Sequence, residues 1–382
     1  MPTPPAPAKE RLLALDVFRG LTIAGMLLVN NPGNWGAIYP PLTHAAWHGW
    51  TPTDLIFPFF LFIVGVTTHF SLDSRRARGA DDAAITRQIL RRSALIILFG
   101  LLLAAFPFWP LDRFTGIRIP GVLQRIGVAY LFGALITQRT TWRQQVGIIA
   151  ALLLGYWFIM TMLPVPGQEG LGRDWLDTPA KTLAAWVDRA LLDGHLWSQS
   201  RTWDPEGVLS TIPAIGTVML GVLCGRWLRG PAPLVERLSA LFAVGAIVMV
   251  AGLMWNWVFP INKALWTSSY VLFTGGMAAT ALATILWITD VRGVRWWTRP
   301  FVIYGVNPII AFVGSGMMAR VVVSYIRVER DGRGIPLKTA VYEWLATWLD
   351  PRDASLAYAV GFVLVWLAIL TVLERRGIIF KV

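Results

Sequence analysis

The sequence predicts an all-α polytopic membrane protein of about ten transmembrane helices, and three observations carry that prediction. Hydrophobic residues make up 55% of the 382, and the mean hydropathy is +0.56. Only 15% are charged, against about 25% in soluble domains. The 20 Trp and 19 Phe exceed the aromatic surface that a water-soluble fold of this size can hide. A water-soluble enzyme, a disordered chain and a disulfide scaffold are excluded together. The single cysteine, Cys224, lies in the apolar run MLGVLCGRW, so neither an intramolecular disulfide nor a cysteine metal cluster can form.

A helix needs about 20 residues to cross about 30 Å of hydrocarbon. Ten runs qualify: 13–31, 55–72, 94–110, 121–138, 145–163, 208–228, 238–258, 268–289, 300–319 and 354–373. Each is expected to be helical, because lipid offers no partner to an open strand edge. Residues 1–10 are polar and proline-rich and read as a cytoplasmic tail. The first run carries Asp16 and Arg19 and has no small-residue cleavage site after it, so it reads as a retained span and not a signal peptide. The second follows Asp54. The fourth carries Gln124 and Arg125 at membrane depth, where an ionisable residue faces a polar cavity by default. The ninth contains Asn307-Pro308, where proline is expected to kink the helix and free a carbonyl. Long loops at 164–207 and 320–353 separate the remaining runs. The chain reads as one integral-membrane domain over 1–382, without an internal repeat or a low-complexity tract.

The charges assign the faces. With both termini placed in the cytoplasm, the inner segments hold 20 Lys and Arg and the outer loops 13, while acids divide 8 to 14. In a soluble protein a net charge of +12 would point to nucleic acid; here it reads as arginines fixing topology, with no nucleic-acid partner expected. The loops 30–54, 164–207, 260–266 and 320–353 then face outward, to the periplasm or the cell exterior.

Every unusual polar cluster falls on that outer side. Residues 30–60 hold His44 and His48 at i, i+4, flanked by Trp35, Trp47 and Trp50 and followed by Asp54 at the mouth of an apolar run. HAAWH lacks the Glu of HExxH and a third ligand nearby, so a zinc site is not expected. A neutral imidazole suits a general base for an amine or hydroxyl, or an acyl acceptor in its own right. The competing structural reading is an interfacial loop whose aromatics form a membrane belt. Asp54 is expected to cap its helix or to face a polar cavity, with Thr51 and Thr53 as further caps. Asp204 and Glu206 precede the sixth span, either as helix-terminal acids or as an acidic lip for a cationic or polyhydroxyl ligand. Asn262 and Lys263 occupy a short outer turn beside Trp266, and a lysine there runs against the charge bias. His69 and His195 stand alone and read as structural. Asp16 and Arg19, spaced i, i+3, neutralise each other or leave a guanidinium for phosphate.

Six motifs occur in one order: LDVFRGLTIAGMLLVN, HAAWHGWTPTDLIFPFFLFIVG, RIPGVLQRIGVAY, DPEGVLSTIPAI, INKALWTSSYVLFTGG and YGVNPI. Together they resemble the bacterial branch of the heparan-α-glucosaminide N-acetyltransferase family of transmembrane acyltransferases, over about residues 11–319. The resemblance implies acetyl transfer from cytoplasmic acetyl-CoA to the amine of a terminal glucosamine across the membrane. It maps the family's essential histidine to His44, its neighbouring Asn to Asn30 and the acid before FP to Asp54. His48 stands where the animal motif has Asn, and heparan sulfate is not the expected acceptor.

The resulting expectation is a multi-pass acetyltransferase of the bacterial inner membrane, with a homodimer possible. His44, Asp54 and Asn30 are the expected catalytic group. Asp204, Glu206, Asn262, Lys263, Asn307, Trp47 and Trp266 are expected around the sugar. Arg19, Gln124 and Arg125 are expected along the acetyl-CoA. No metal is expected. The alternatives are an amino-sugar or N-acetylglucosamine transporter, and O-acylation of a cell-envelope glycan.

Overall fold

The structure, a computed structural model, describes residues 13–109, 115–330 and 332–380. The expected tail at 1–10 lies outside them. The described residues are predominantly helical, as expected, with helices α1 to α13 in chain order. Among the described residues, eight helical stretches are long and apolar enough to cross a membrane. They are α1 (Leu13–Asn30), α2 (Ile56–Arg76, entered through a 3-10 turn from Pro52), α3 (Asp82–Ala105), α5 (Trp142–Met162), α7 (Thr211–Leu228), α8 (Leu234–Trp255), α9 (Ser268–Leu286, extended by a π turn to Val291) and α13 (Pro351–Arg375).

Two of the ten expected spans depart from this pattern. α4 (Val122–Arg139) forms as expected, but Gln124, Arg125, Gln138 and Arg139 hold its hydropathy below that of the eight. The ninth run is broken into α10 (Arg299–Val306) and α11 (Pro308–Ser324), bent by 85°. Pro308 has no N–H to continue the α10 ladder, and Asn307 sits between the two helices at φ −122°, ψ 54°. The expected third run also starts earlier, at Asp82, because its first turns are amphipathic. Asp81 caps them by accepting from the Ala84 N–H at 2.7 Å. The loop expected at 320–353 contains a short antiparallel hairpin, β1 (Arg327–Arg330) with β2 (Arg333–Pro336), and α12 (Leu337–Leu345).

Burial sorts the helices into two rings. The most apolar windows of α7, α9 and α2 are 67%, 61% and 56% buried, against 22% for α3, α8 and α13. The first three form the centre, and the others present Leu98, Leu102, Ile247, Val250, Leu364 and Val365 outward, as a lipid solvent allows. Close approach in the centre depends on glycine. A Cβ on Gly65 of α2 would stand 1.9 Å from the Val218 carbonyl, and one on Gly221 of α7 would stand 2.0 Å from that of Phe62. The α1–α10 pair is as tight, with Gly20 against Phe301 and Gly305 against Asp16. Small residues of this kind replace the hydrophobic drive that lipid removes.

The loops 31–55, 163–210 and 256–267 gather at one end of the bundle. The Gly49 N–H donates to the Ile261 carbonyl at 2.8 Å, and the Ile119 N–H to that of His195 at 3.0 Å. A short helix, α6 (Leu183–Leu192), organises the long loop. Its Asp188 accepts from the N–H groups of Asp204 (3.1 Å) and Val208 (2.9 Å), and Arg189 donates to the carbonyls of Ala180 and Thr202. The opposite end carries the arginine-rich turns, with Arg229 on Asp73 at 3.3 Å and Arg299 on Glu374 at 2.9 Å.

Candidate active site

At the loop-covered end, His44 and Asp54 meet. His44 Nδ1 lies 2.6 Å from Asp54 Oδ1. The segment between them folds into a turn because Asp54 Oδ2 accepts from the N–H groups of Ala45 and Thr51, both at 3.0 Å, and from Thr51 Oγ1 at 3.2 Å. The carboxylate therefore caps the start of the second span and faces the site at the same time. Its backbone carbonyl accepts from Tyr270 Oη of α9 at 2.5 Å, which ties the turn to the buried centre. Asp54 is 1% exposed, while the His44 side chain is half exposed.

Lys263 completes the cluster. Its Nζ lies 3.0 Å from His44 Nδ1, 3.2 Å from Nε2 and 3.6 Å from Asp54 Oδ1. Burial lowers the pKa of this ammonium, against the pull of Asp54 and Glu206. With Nδ1 committed to Asp54, the Nε2 lone pair of His44 is the basic position of the ring.

These groups stand at the polar mouth of a cavity of about 460 Å³. Asn30, His44, Asp54, Arg118, Glu206 and Lys263 line the mouth, with Trp47, Trp197 and Trp203 as an aromatic wall. The three indoles pack edge to face, with centroids 5.2 and 5.7 Å apart. Deeper in the bundle the wall is apolar, from Ile23 and Met26 of α1, Phe57 and Phe60 of α2, Leu123 and Ile126 of α4, and Ile309 and Phe312 of α11. The break at Asn307-Pro308 turns α11 across the bundle, so that Pro308 and Phe312 form part of this wall.

The other expected residues fall in different places. Asp204 and Glu206 do form an acidic lip, and it is occupied by Arg118. That guanidinium holds Asp204 through Nε (2.8 Å) and Nη2 (2.5 Å), and Glu206 through Nη2 (2.5 Å). Burial disfavours the Arg118 cation, but the two carboxylates more than offset it and raise its pKa. Asn262 is fully buried behind the wall, accepting from the Leu265 N–H at 2.9 Å and donating toward His48 Nδ1 at 3.3 Å. His48 in turn meets Asp177 at 2.8 Å. Trp266, 0% exposed, is packed between Phe57 and Tyr270, so it offers no face to a sugar. Trp35 lies apart, under Lys338.

The expected polar channel along α4 is absent from the cavity wall. Gln124 lies against Gly100 of α3. Arg125 is buried over the Trp266 ring at 5.0 Å and donates to Ser210 Oγ and the Gly207 carbonyl, fastening α4 to the start of α7. Arg19 donates to Asp16 and to the Gly305 carbonyl at 3.1 Å, joining α1 to α10. Asn307 binds the end of the chain, donating to the Ile378 carbonyl at 3.1 Å and accepting from the Phe380 N–H at 2.9 Å. Arg118, Trp197 and Trp203 were not expected at the site. Arg118 and Trp203 reach it through partners far away in sequence, Asp204, Glu206 and Trp47, which no local spacing marks.

Residues 11–240 match the family profile described as heparan-alpha-glucosaminide N-acetyltransferase, catalytic. The chain belongs to this family. It is 32% identical over 355 residues to heparan-alpha-glucosaminide N-acetyltransferase of Homo sapiens, covering 80% of this chain and 52% of that protein. It is 31% identical over 360 residues to the protein of the same name in Mus musculus, covering 81% and 54%. The chain thus spans about half the length of the curated relatives it matches. The resemblance read from the six motifs is borne out. The family match includes His44, Asp54, Arg118, Asp204 and Glu206, and ends before Lys263.

Proposed function

We propose that this chain is a transmembrane acetyltransferase that moves acetyl from acetyl-CoA to the amine of a glucosamine-type sugar. The observation that carries the reading is the His44–Asp54–Lys263 cluster at the mouth of an apolar cavity, in a member of this family. His44 Nε2 takes the proton as the amine forms its bond to the thioester carbon. It returns that proton to the sulfur as the C–S bond breaks, giving an amide and a thiol. Asp54 holds the ring through Nδ1 and stabilises the imidazolium that forms. Lys263 supplies a positive charge beside the ring. The indoles of Trp47, Trp197 and Trp203 and the carboxylate of Glu206 suit a sugar bearing hydroxyls and an amine. The apolar depth suits the acyl end of the donor.

The charge bias supports a mouth on the outer side and a donor supplied from the cytoplasm, in a bacterial inner membrane. The deciding experiment is acetyl transfer to glucosamine by protein reconstituted in liposomes loaded with acetyl-CoA. We expect transfer by the wild type and a fall of at least a hundredfold in His44→Gln, the scale of a lost general base. Sugar flux that proceeds without acetyl-CoA would instead identify a transporter. Transfer to a hydroxyl acceptor alone would identify an O-acylase.

A further inference from the structure

Lys263 Nζ stands where the amine of an acceptor has to stand. A general base works on a group within a reach of about 2.6–3.2 Å, and Nζ lies 3.2 Å from His44 Nε2. Like the nitrogen of a glucosamine, it is a primary amine. It lines the same cavity as His44 and Asp54. A thioester carbon placed to meet an amine held by Nε2 is therefore also placed to meet Nζ. The turn fixes the base of the side chain. The Lys263 carbonyl accepts from the N–H of the fully buried Trp266 at 3.1 Å, and the neighbouring Asn262 accepts from the Leu265 N–H at 2.9 Å. Burial lowers the pKa of Lys263 and so raises its share of neutral amine, the nucleophilic form.

The other lysines among the described residues show what is particular to this one. Lys181 stacks on Trp175, with Nζ 4.5 Å from the ring centroid, and Lys338 stacks on Trp35 at 5.7 Å. Burial lowers the pKa of Lys338 as well, so burial alone does not single out Lys263. Among the described residues, it is the only lysine whose Nζ lies within hydrogen-bond distance of an imidazole. An acceptor amine that takes the place on Nε2 has to displace Nζ, and Asp54 Oδ1, 3.6 Å away, is there to hold it as an ammonium. With the acceptor absent, Lys263 is the amine next to the base.

We propose that Lys263 is a self-acetylation site: without an acceptor, the protein transfers the acetyl group to its own lysine and thereby closes its active site. The inference rests on the acetyltransferase reading above. After the ammonium has lost one proton to water, the Nζ lone pair forms a bond to the thioester carbon. The C–S bond breaks, and a second proton passes from Nζ through His44 Nε2 to the sulfur. The products are Nε-acetyl-Lys263 and the free thiol of CoA. The amide carries no charge, and its acetyl group fills the place of the acceptor amine.

The test incubates purified protein with acetyl-CoA, with and without glucosamine, and maps acetyl groups by mass spectrometry. We expect one acetyl group on Lys263, little on Lys181 or Lys338, and protection by glucosamine. Acetylation of Lys263 should slow by about a hundredfold in His44→Gln, the scale of a lost general base. Transfer to glucosamine added afterwards should fall in step with the acetylated fraction. Lys263→Arg keeps a cation that a thioester does not acylate, so preincubation should leave its activity, whatever its level, unchanged. If His44→Gln fails to fold, protection by glucosamine in the wild type makes the same distinction. Equal marking of all three lysines, or marking of Lys263 that neither glucosamine nor His44→Gln reduces, overturns the inference, because the thioester is then reacting without the site. Undiminished transfer by fully acetylated protein overturns the closure. Acetylated glucosamine with an unmarked Lys263 overturns the inference and leaves the acetyltransferase reading intact. If neither amine is acetylated, that reading fails first and the inference with it.

Discussion

Asp54 shows how one carboxylate serves two structural levels. It is buried, which costs several kcal/mol unless every lone pair is used. Two backbone N–H groups, a threonine hydroxyl, an imidazole and an ammonium use them. The same bonds that close the turn therefore aim His44. Asp188 is the contrasting case. It also accepts two backbone N–H groups, but among the described residues it forms no ion pair, and burial raises its pKa to about 6. The sign of the consequence follows by linkage. The native state holds this proton more tightly than the unfolded chain, whose aspartates titrate near pH 4. The stabilisation is complete below about pH 4 and is lost as pH rises to about 6. The difference of two pKa units corresponds to about 3 kcal/mol. Thermal unfolding in detergent at pH 4, 5, 6 and 7 should show this loss in the wild type, and Asp188→Asn should flatten that part of the profile. Identical profiles for the two proteins would mean that the Asp188 carboxyl is ionised at no cost.

Helix α7 is the element on which the site depends without touching it. Its glycines at 221 and 225 lie one turn apart and meet Phe62 and Val66 of α2, the helix whose start carries Asp54. A leucine at Gly221 has to displace the Phe62 carbonyl, and no rotamer avoids a clash that begins at Cβ. Gly221→Leu is expected to abolish monodisperse extraction in mild detergent, or to lower the melting temperature by more than 10 °C. Gly147→Leu, on α5 where a Cβ meets nothing within 4 Å, should extract like the wild type. The positions of these helices were legible in the sequence, because 20-residue apolar runs have one stable form in lipid. The turn around His44 was legible in part: Thr51 and Asp54 stand at cap spacing, and HAAW carries the family motif. The bend at Asn307-Pro308 was legible as a kink, yet its angle of 85° comes from packing against α1 and α13, which no local pattern records. The ion pair of Arg118 with Asp204 and Glu206 joins residues more than 80 positions apart. Arg125 was read as lining a channel because an intramembrane cation needs a polar partner, and it found one in the Ser210 hydroxyl and the face of Trp266 instead.

At the scale of the whole molecule, the proposed reaction requires two chemically different ends. The loop-covered end holds the cavity mouth, with paired acids and bases and an aromatic wall; the other end holds the arginine-rich turns. The sequence places the charge bias on the same division, with a net excess of about 12 positive charges on the arginine-rich side. If donor and acceptor lie on opposite sides of a membrane, the fold has to be inserted with the arginines in the cytoplasm. Cysteine labelling tests this directly, because the single native thiol, Cys224, is buried and forms a quiet background. Trp35→Cys introduces a thiol at a position 64% exposed on the loop-covered end, and Ala77→Cys introduces one in an exposed turn at the other without changing a charge. A membrane-impermeant maleimide added to intact cells with a permeable outer envelope should label position 35 and spare position 77 until the membrane is broken. Labelling of position 77 alone would place the arginine-rich end outside. The proposed direction of transfer, from a cytoplasmic donor to an outer acceptor, would then fall. Labelling of neither position before lysis, and of both after it, would mean that the outer loops are shielded in the cell, and proteolysis at 164–207 from outside would then decide the sidedness.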